Sequence, residues 1–332
     1  MNDHVYIIAE AGVNHNGDMT LAKEMIDVAS DCGVDAVKFQ SFNADCLVTP
    51  QAPKAEYQQA DVNSTQYEML KKLELSEDQT GLLADHCQTK QIDFISSPFD
   101  MESLRMLSSM PLRILKIPSG EITNLPYLRL AGRSRKRIIL STGMSTLDEV
   151  QTACDILFQA GTAKKDIIVL QCNSAYPSPD HDVNLRAMLS MKECLDLEVG
   201  LSDHTPGIDI ALAAAGMGAK VIEKHFTLDR NFSGPDHKAS IEPDELKFLV
   251  QGIRRVEKAL GSSQKAPSPS EKKNISIVRK SIVALRDIKK GETYSDQNLT
   301  TKRPAFGLSP MRWDDVVGAV ANRDYKKDEF IE

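Results

Sequence analysis

The 332-residue sequence has no long apolar run. Stretches such as residues 138–140 and 167–170 fall far short of the ~20 residues that a membrane-spanning helix needs, so no membrane partner is expected. No basic-then-apolar leader opens the chain, because Asp3 and His4 pass directly into a strand-like run, and a cytoplasmic protein is expected. The six cysteines (Cys32, Cys46, Cys87, Cys154, Cys172 and Cys194) include no CxxC pair and no metal-finger spacing. That pattern predicts buried free thiols in a reducing compartment. The sequence also shows no internal repeat and no glycine-rich dinucleotide fingerprint after its first strand-like run. A net charge of −7 gives no reason to expect nucleic-acid binding.

What is present is a globular balance, with 41% hydrophobic and 26% charged residues. The charge is unevenly spread. Residues 262–332 carry 14 Lys/Arg against 10 Asp/Glu, a net +4 that leaves −11 on the remainder. A basic tail on an acidic body can cover a site or hold an anionic ligand, or it can be ordinary variation in surface charge.

Short apolar runs alternate with longer stretches that space apolar residues as an amphipathic helix does. Strands are expected at residues 5–9, 36–39, 93–96, 115–117, 137–140, 167–171, 198–201 and 220–223. Eight β-then-α units favour a closed α/β barrel, (β/α)8, over an open sheet. The connection over residues 43–79, with Pro50, Pro53 and a short helical piece near residues 67–73, reads as a loop that covers something. The barrel is expected over residues 1–260, a Ser/Pro-rich linker over 261–274, and a small domain over 275–332 that holds the lone Trp313. So small a domain has a thin core and is expected to lean on another surface.

Barrel enzymes carry their reactive groups at the C-terminal ends of the strands. Those ends hold Glu10, Lys38 with Gln40, Ser97, Lys116 with Ser119 and Glu121, Ser141, Tyr176, Ser202 with His204, and Glu223 with His225. A single buried lysine is readily a core ion pair, yet every uncompensated buried ion costs several kcal/mol. A site for a small, multiply anionic ligand explains the set together. Lys38 and Lys116, with the hydroxyls of Ser97, Ser119, Ser141 and Ser202, suit a phosphate and a carboxylate. His204 and His225 follow adjacent strands and can share one divalent metal with open positions, the alternative being two structural imidazoles. Glu10 and Asp236 are candidate acid/base or hydroxyl-binding groups.

The same segments resemble the bacterial sialic acid synthase family. The resemblance rests on Ile8-Ala9-Glu10-Ala11-Gly12-Val13-Asn14-His15-Asn16-Gly17, Val37-Lys38-Phe39-Gln40, Ser96-Ser97-Pro98-Phe99 and Lys116-Ile117-Pro118-Ser119-Gly120-Glu121. It continues through Leu140-Ser141-Thr142-Gly143-Met144, Ser202-Asp203-His204, Glu223-Lys224-His225-Phe226-Thr227, Ser233-Gly234-Pro235-Asp236-His237 and Thr301-Lys302-Arg303-Pro304. Two positions depart from the family pattern: Ser97 replaces a common Thr, and Ser174 stands where relatives carry Asn or Thr.

The resemblance implies a TIM barrel followed by an antifreeze-protein-like (SAF) domain, paired in a domain-swapped homodimer. It implies condensation of phosphoenolpyruvate with N-acetylmannosamine to N-acetylneuraminate and phosphate. The alternative is N,N'-diacetyllegionaminate from 2,4-diacetamido-2,4,6-trideoxymannose. Phosphoenolpyruvate contacts fall by resemblance on Lys38, Ser97, Lys116, Ser119, Ser141 and Ser202, and metal ligands, for Mn2+ or Mg2+, on His204 and His225. Sugar-binding and acid/base roles fall on Glu10, Glu121, Tyr176 and Asp236, and Arg303 of one chain is expected at the partner's sugar site. More remote readings are a Schiff-base aldolase built on Lys116 and a carbohydrate-binding protein on an inactive barrel.

Overall fold

The computed structural model describes residues 4–53 and 65–332. The chain divides into two compact units, Met1–Gly261 and Ser262–Glu332.

The first unit contains eight parallel strands: β1 (Tyr6–Gly12), β2 (Ala36–Ser41), β3 (Asp93–Pro98), β4 (Ile114–Ile117), β5 (Arg137–Ser141), β6 (Ile167–Cys172), β7 (Glu198–Asp203) and β8 (Val221–His225). Ladders join them in the order β3-β2-β1-β8-β7-β6-β5-β4. β3 also lies against β4, so the sheet nearly closes on itself. Helices such as Met19–Cys32, Leu147–Ala160 and Pro243–Leu260 pack outside it. Their starts follow local chemistry: the Thr146 hydroxyl caps Leu147–Ala160 while Glu149 bonds back, a capping box.

Two cores result from the strand period of two. Ile7, Ala9, Val37, Leu115, Ile138 and Val169 belong to the large cluster between strands and helices. Tyr6, Ile8, Ala36, Ile95, Ile114, Ile139, Ile168 and Val221 form a separate cluster that plugs the barrel interior. Two residues further along the same faces stand Glu10, Lys38, Ser97, Lys116, Ser141 and Glu223, while on β6 the corresponding residue, Leu170, still belongs to the plug. An apolar floor therefore lies beneath a charged layer.

Most strands run further than the apolar runs that announce them. β1 reaches Gly12, β3 reaches Pro98 and β8 reaches His225, because backbone ladder bonds do not depend on side-chain polarity. The covering connection contains helices Ala44–Leu47 and Gln66–Lys71, close to the expected helical piece; residues 54–64 of it lie outside the described residues.

In the second unit, β9 (Ser281–Ala284) pairs antiparallel with β10 (Leu299–Lys302) over a small core that includes Ile282, Ile288, Tyr294, Val316 and Tyr325. Trp313 donates its indole N–H to Asp296 at 3.0 Å. Helix Pro269–Val278 begins inside the segment read as linker, with a capping box of Ser268 and Glu271 and a proline in its first turn. None of its side chains is buried.

Among the described residues no helix is long and apolar enough to cross a membrane. All six cysteines are free. Only Cys87, Cys154 and Cys172 are buried; Cys46 and Cys194 are exposed and Cys32 is half-buried, which corrects the expectation of six buried thiols. Solvent-facing helix and loop positions tolerate a small thiol as they do a serine, so residue type alone did not decide burial.

Candidate active site

The charged layer opens into a cavity of about 280 Å³ lined by residues of all eight strands and their following loops. Glu10, Lys38, Ser97, Lys116, Ser119, Ser141, Ser202, His204 and His225 all line it, and so does Tyr176. The residues the sequence singled out for an anion are thus brought together on one wall system.

Ion pairs and hydroxyls organise that layer. Lys38 Nζ lies 2.7 Å from the Glu10 carboxylate, 3.8 Å from Glu223, and donates to Ser97 Oγ at 3.1 Å. Lys116 Nζ donates to Ser141 Oγ at 2.7 Å and stands 3.4 Å from Glu223. Ser202 Oγ donates to the Glu223 carboxylate at 2.9 Å. Ser119 is placed a step further up, where its hydroxyl accepts the Gly143 backbone N–H at 2.9 Å.

All four ions are buried, and the balance of burial against pairing differs among them. Burial opposes the charge on Lys38, but Glu10 and Glu223 outweigh it and hold its pKa above the usual lysine value. For Lys116 burial wins, with Lys38 adding repulsion, and its pKa falls despite Glu223. Burial raises Glu10, reinforced by the neighbouring Glu223, although Lys38 pulls the other way. Glu223 ends below the ordinary carboxylate range because Lys116 and Lys38 overcome its burial. Glu223 is therefore the counter-ion of the lysine pair. Sequence reading placed it at a strand end without giving it a role. The signal was the alternation in Val221-Ile222-Glu223-Lys224-His225, which turns Glu223 and His225 into the barrel and Lys224 out of it. Lys224 is accordingly structural: it is tied to Asp203 and to the Thr205 carbonyl, each at 2.7 Å.

The first strand is bent to serve the site. Its register with β2 jumps from Glu10↔Lys38 to Gly12↔Phe39, leaving Ala11 as the extra residue of a bulge. Gly12 has φ +55°, and a Cβ there would meet Glu10 Oε1 at 3.2 Å, Gln40 Nε2 at 3.4 Å and Asp236 Oδ2 at 3.6 Å. The positive φ favours glycine at this position, and a Cβ would crowd the Glu10 carboxylate where the three polar groups converge. Gln40 Nε2 donates to Glu10 Oε1 at 3.3 Å, which makes it a further site residue not assigned from the sequence. Asp236 is buried, and that burial pushes its pKa up to about 6. The neighbouring motif Asn14-His15-Asn16-Gly17 serves the scaffold: Asn14 donates to the Phe226 carbonyl and to Ser240 Oγ, both at 2.9 Å, and fastens the loop after β1 to the loop after β8.

The two histidines stand together, with ring centroids 5.2 Å apart. Tyr176 packs on both, 4.1 Å from the His204 ring and 5.4 Å from the His225 ring. His204 Nδ1 is 2.5 Å from the Asn173 carbonyl; as donor there, it leaves the Nε2 lone pair directed elsewhere. For His204, burial works against protonation, but the Cys172 sulfur, the Asn173 carbonyl and Glu223 outweigh it and raise the pKa. His225 is held well below the ordinary imidazole value by burial and by His204. Its buried Nδ1 has no hydrogen-bond partner, the Asp236 carboxylate being 3.8 Å away. Two clustered imidazoles and an orphaned ring nitrogen fit a partial donor set for a divalent cation. Among the described residues no group of three His, Cys, Asp or Glu could complete a cage.

Three expected residues are not in the wall of this cavity, and one of them, Asp236, lines instead an adjoining space that also touches Gln40, Tyr176 and His225. Glu121 follows β4 but turns to Asn124, which donates to it at 2.6 Å, and it does not line the cavity. Within the single turn Ser119–Glu121, Ser119 and Gly120 line the cavity and Glu121 does not. Arg303 is exposed on the second unit. Cys172, at the end of β6, lines the cavity and was not singled out as part of the site.

Comparison with known proteins assigns the family. Residues 25–265 match the NeuB family, and residues 279–332 match the SAF domain. The chain is 53% identical over 98% of both chains to N,N'-diacetyllegionaminic acid synthase of Campylobacter jejuni subsp. jejuni serotype O:2. It is 36% identical to the human N-acetylneuraminate-9-phosphate synthase, over 90% of this chain and 82% of that one. Among solved structures, the N-acetylneuraminic acid (sialic acid) synthetase of Leptospira borgpetersenii serovar Hardjo-bovis in complex with citrate superposes with a TM-score of 0.73 at 38% identity, covering 82% of this chain and 91% of that one. The chain belongs to the NeuB family, the sialic acid synthase family that its sequence resembles, and carries that family's barrel followed by a SAF domain.

Proposed function

We propose that the protein condenses phosphoenolpyruvate with 2,4-diacetamido-2,4,6-trideoxymannose to give N,N'-diacetyllegionaminate and phosphate. The observation that carries the choice of sugar is the gradient of identity. Two relatives named N,N'-diacetyllegionaminic acid synthase, from C. jejuni and Legionella pneumophila, are 53% and 48% identical. The human N-acetylneuraminate-9-phosphate synthase and a C. jejuni pseudaminic acid synthase reach only 36% and 35%. The first expectation, N-acetylmannosamine to N-acetylneuraminate, thus gives way to its alternative.

In this reading Lys38 and Lys116, with Ser97, Ser119, Ser141 and Ser202, hold the phosphate and carboxylate of phosphoenolpyruvate over the apolar floor. Carbon 3 of phosphoenolpyruvate attacks the open-chain aldehyde carbon of the sugar and forms the C–C bond. Carbon 2 gains oxocarbenium character, a water adds there, and C–O cleavage of the tetrahedral intermediate releases phosphate. Glu10 and Asp236, both raised by burial, are the carboxyls able to pass a proton near the aldehyde oxygen or the incoming water. A divalent ion, Mn2+ or Mg2+, held by His204 and His225 would supply Lewis-acid polarisation of the aldehyde. Tyr176, packed on both imidazoles, fixes their orientation and borders the sugar. Much of the catalysis is positioning and electrostatic preorganisation.

Arg303 would complete the sugar site from the partner subunit in a domain-swapped homodimer working in the cytoplasm. Support for a cover comes from the second unit, where Phe306 is 71% and Met311 92% exposed, apolar side chains that a partner surface would remove from water. Glu121 would act only indirectly, through Asn124. Measuring phosphate release and kcat/KM with both sugars tests the assignment: a preference for the diacetamido sugar is expected, and a preference for N-acetylmannosamine would overturn it.

A further inference from the structure

A second cavity of about 280 Å³ adjoins the one just described. The two share Gln40, Phe99, Tyr176 and His225 as a common wall. Asp236 and Pro235 close one side of the second cavity, and beyond them the lining changes character: Phe42, Leu47, Val48, Met69, Leu70 and Leu73 face the space, supplied by the loop after β2, the helices Ala44–Leu47 and Gln66–Lys71 and the residues that follow them. Several of these residues form a small hydrophobic cluster of their own with Val13 and Ala44, separate from both barrel cores. Leu47, Val48 and Met69 are only half-buried, so their apolar surface is incompletely covered within the chain. Gln66 contributes one amide to the far side.

We propose that this chamber is the subsite for the far end of the acceptor sugar, taking the carbon-6 methyl and the carbon-4 acetamido group. The inference rests on the substrate reading above and deepens it. The geometry supplies the direction. The reacting aldehyde must lie beside the lysine-held enol and the histidine pair, so the chain of the sugar can leave that centre past Gln40 and Tyr176 into the adjoining space. The chemistry supplies the occupant. A deoxy carbon 6 and an acetyl methyl both gain by leaving water for an apolar wall, and the Gln66 amide can pair with the acetamido. N-acetylmannosamine would place hydroxyls at carbons 4 and 6 in the same chamber. Hydroxyls set against the walls of Leu47, Val48, Met69 and Leu70, away from Asp236 and Gln66, lose their hydrogen bonds to water. A hydrophobic pocket separates substrates that differ by one such group by about 10- to 100-fold.

The test compares kcat/KM for 2,4-diacetamido-2,4,6-trideoxymannose and N-acetylmannosamine in the full-length wild type and in Leu47→Asn, Met69→Gln and Met69→Leu. In the two polar variants the ratio of the first sugar to the second should fall about tenfold or more. Met69→Leu should keep the ratio, and the phosphoenolpyruvate KM should stay at the wild-type value in all three. A wild-type enzyme that favours N-acetylmannosamine would overturn the substrate reading by itself. A ratio unmoved in both polar variants would overturn the chamber assignment, whichever sugar the wild type favours.

Discussion

Lys116 and Lys38 share one carboxylate: Glu223 stands 3.4 Å from the first ammonium and 3.8 Å from the second. Without ligand the two buried cations are balanced by Glu223 and Glu10, and Glu10 is pushed towards neutrality by its burial. Burial lowers the Lys116 pKa as well, so what favours an anion here is the geometry: two buried ammoniums stand within reach of one shared carboxylate, and an arriving anion meets both.

Replacing Glu223 by Gln should remove the counter-ion and leave the lysines facing each other. Breaking a buried ion pair by deleting one partner costs roughly 3–5 kcal/mol. We expect a marked fall in Tm, and a larger recovery of Tm on adding inorganic phosphate than the wild type shows, because the added anion replaces the lost charge. Equal phosphate-induced shifts in the two proteins, read by thermal melts, would remove Glu223 from the anion site.

Lys116→Met keeps most of the stem and deletes the ammonium. A hydrogen bond to a charged group contributes about 1.5–3 kcal/mol, so kcat/KM for phosphoenolpyruvate should drop by roughly one to two powers of ten. Steady-state kinetics beside a melting curve decide it: unchanged kinetics with an unchanged Tm would return Lys116 to the role of a core ion pair.

Much of this site was legible in the sequence because two periodicities coincide. Strand alternation put an apolar plug at Ile8, Ile95, Ile114 and Ile139, and a polar residue two places on in each strand. The role of Glu223 escaped because its partners lie on other strands: Ser202 is its ladder neighbour on β7, and Lys38 and Lys116 reach it from β2 and β4 only because the sheet curls round. Gln40 was named at its strand end but given no role for the same reason, since it reaches Glu10 across the β1–β2 ladder. The helix Pro269–Val278 was masked by its linker-like composition, although Ser268-Pro269-Ser270-Glu271 carries the spacing of a capping box. The apolar chamber depends on two short helices separated in sequence, a juxtaposition that no local pattern encodes.

The histidine pair leads to a metal prediction with a readout independent of turnover. EDTA should abolish activity and Mn2+ or Mg2+ should restore it. Calorimetry should detect Mn2+ binding to the stripped wild type and a sharp weakening in His204→Ala and in His225→Ala, with the fold intact by circular dichroism. Full activity in stripped protein would end the metal assignment.

The shared-site prediction turns on Arg303, which is exposed on the second unit. If Arg303 of one chain serves the barrel of the other, each active site needs residues from two subunits. Arg303→Ala homodimers should then keep their assembly and their phosphoenolpyruvate affinity while losing most turnover with the sugar. His204→Ala homodimers should be inactive for the separate reason that one imidazole of the pair is gone. After the two inactive proteins are mixed and subunits exchange, a heterodimer holds one barrel with His204 intact, and the His204→Ala subunit still carries Arg303 to cover it. Activity should reappear, approaching one working site in each heterodimer, and its rise should follow the rate of exchange measured by mass spectrometry of differently tagged chains. In the opposite arrangement, where each arginine serves its own barrel, every heterodimer contains one barrel lacking His204 and one lacking Arg303. No activity would then return despite complete exchange, and the swapped dimer would have to be given up.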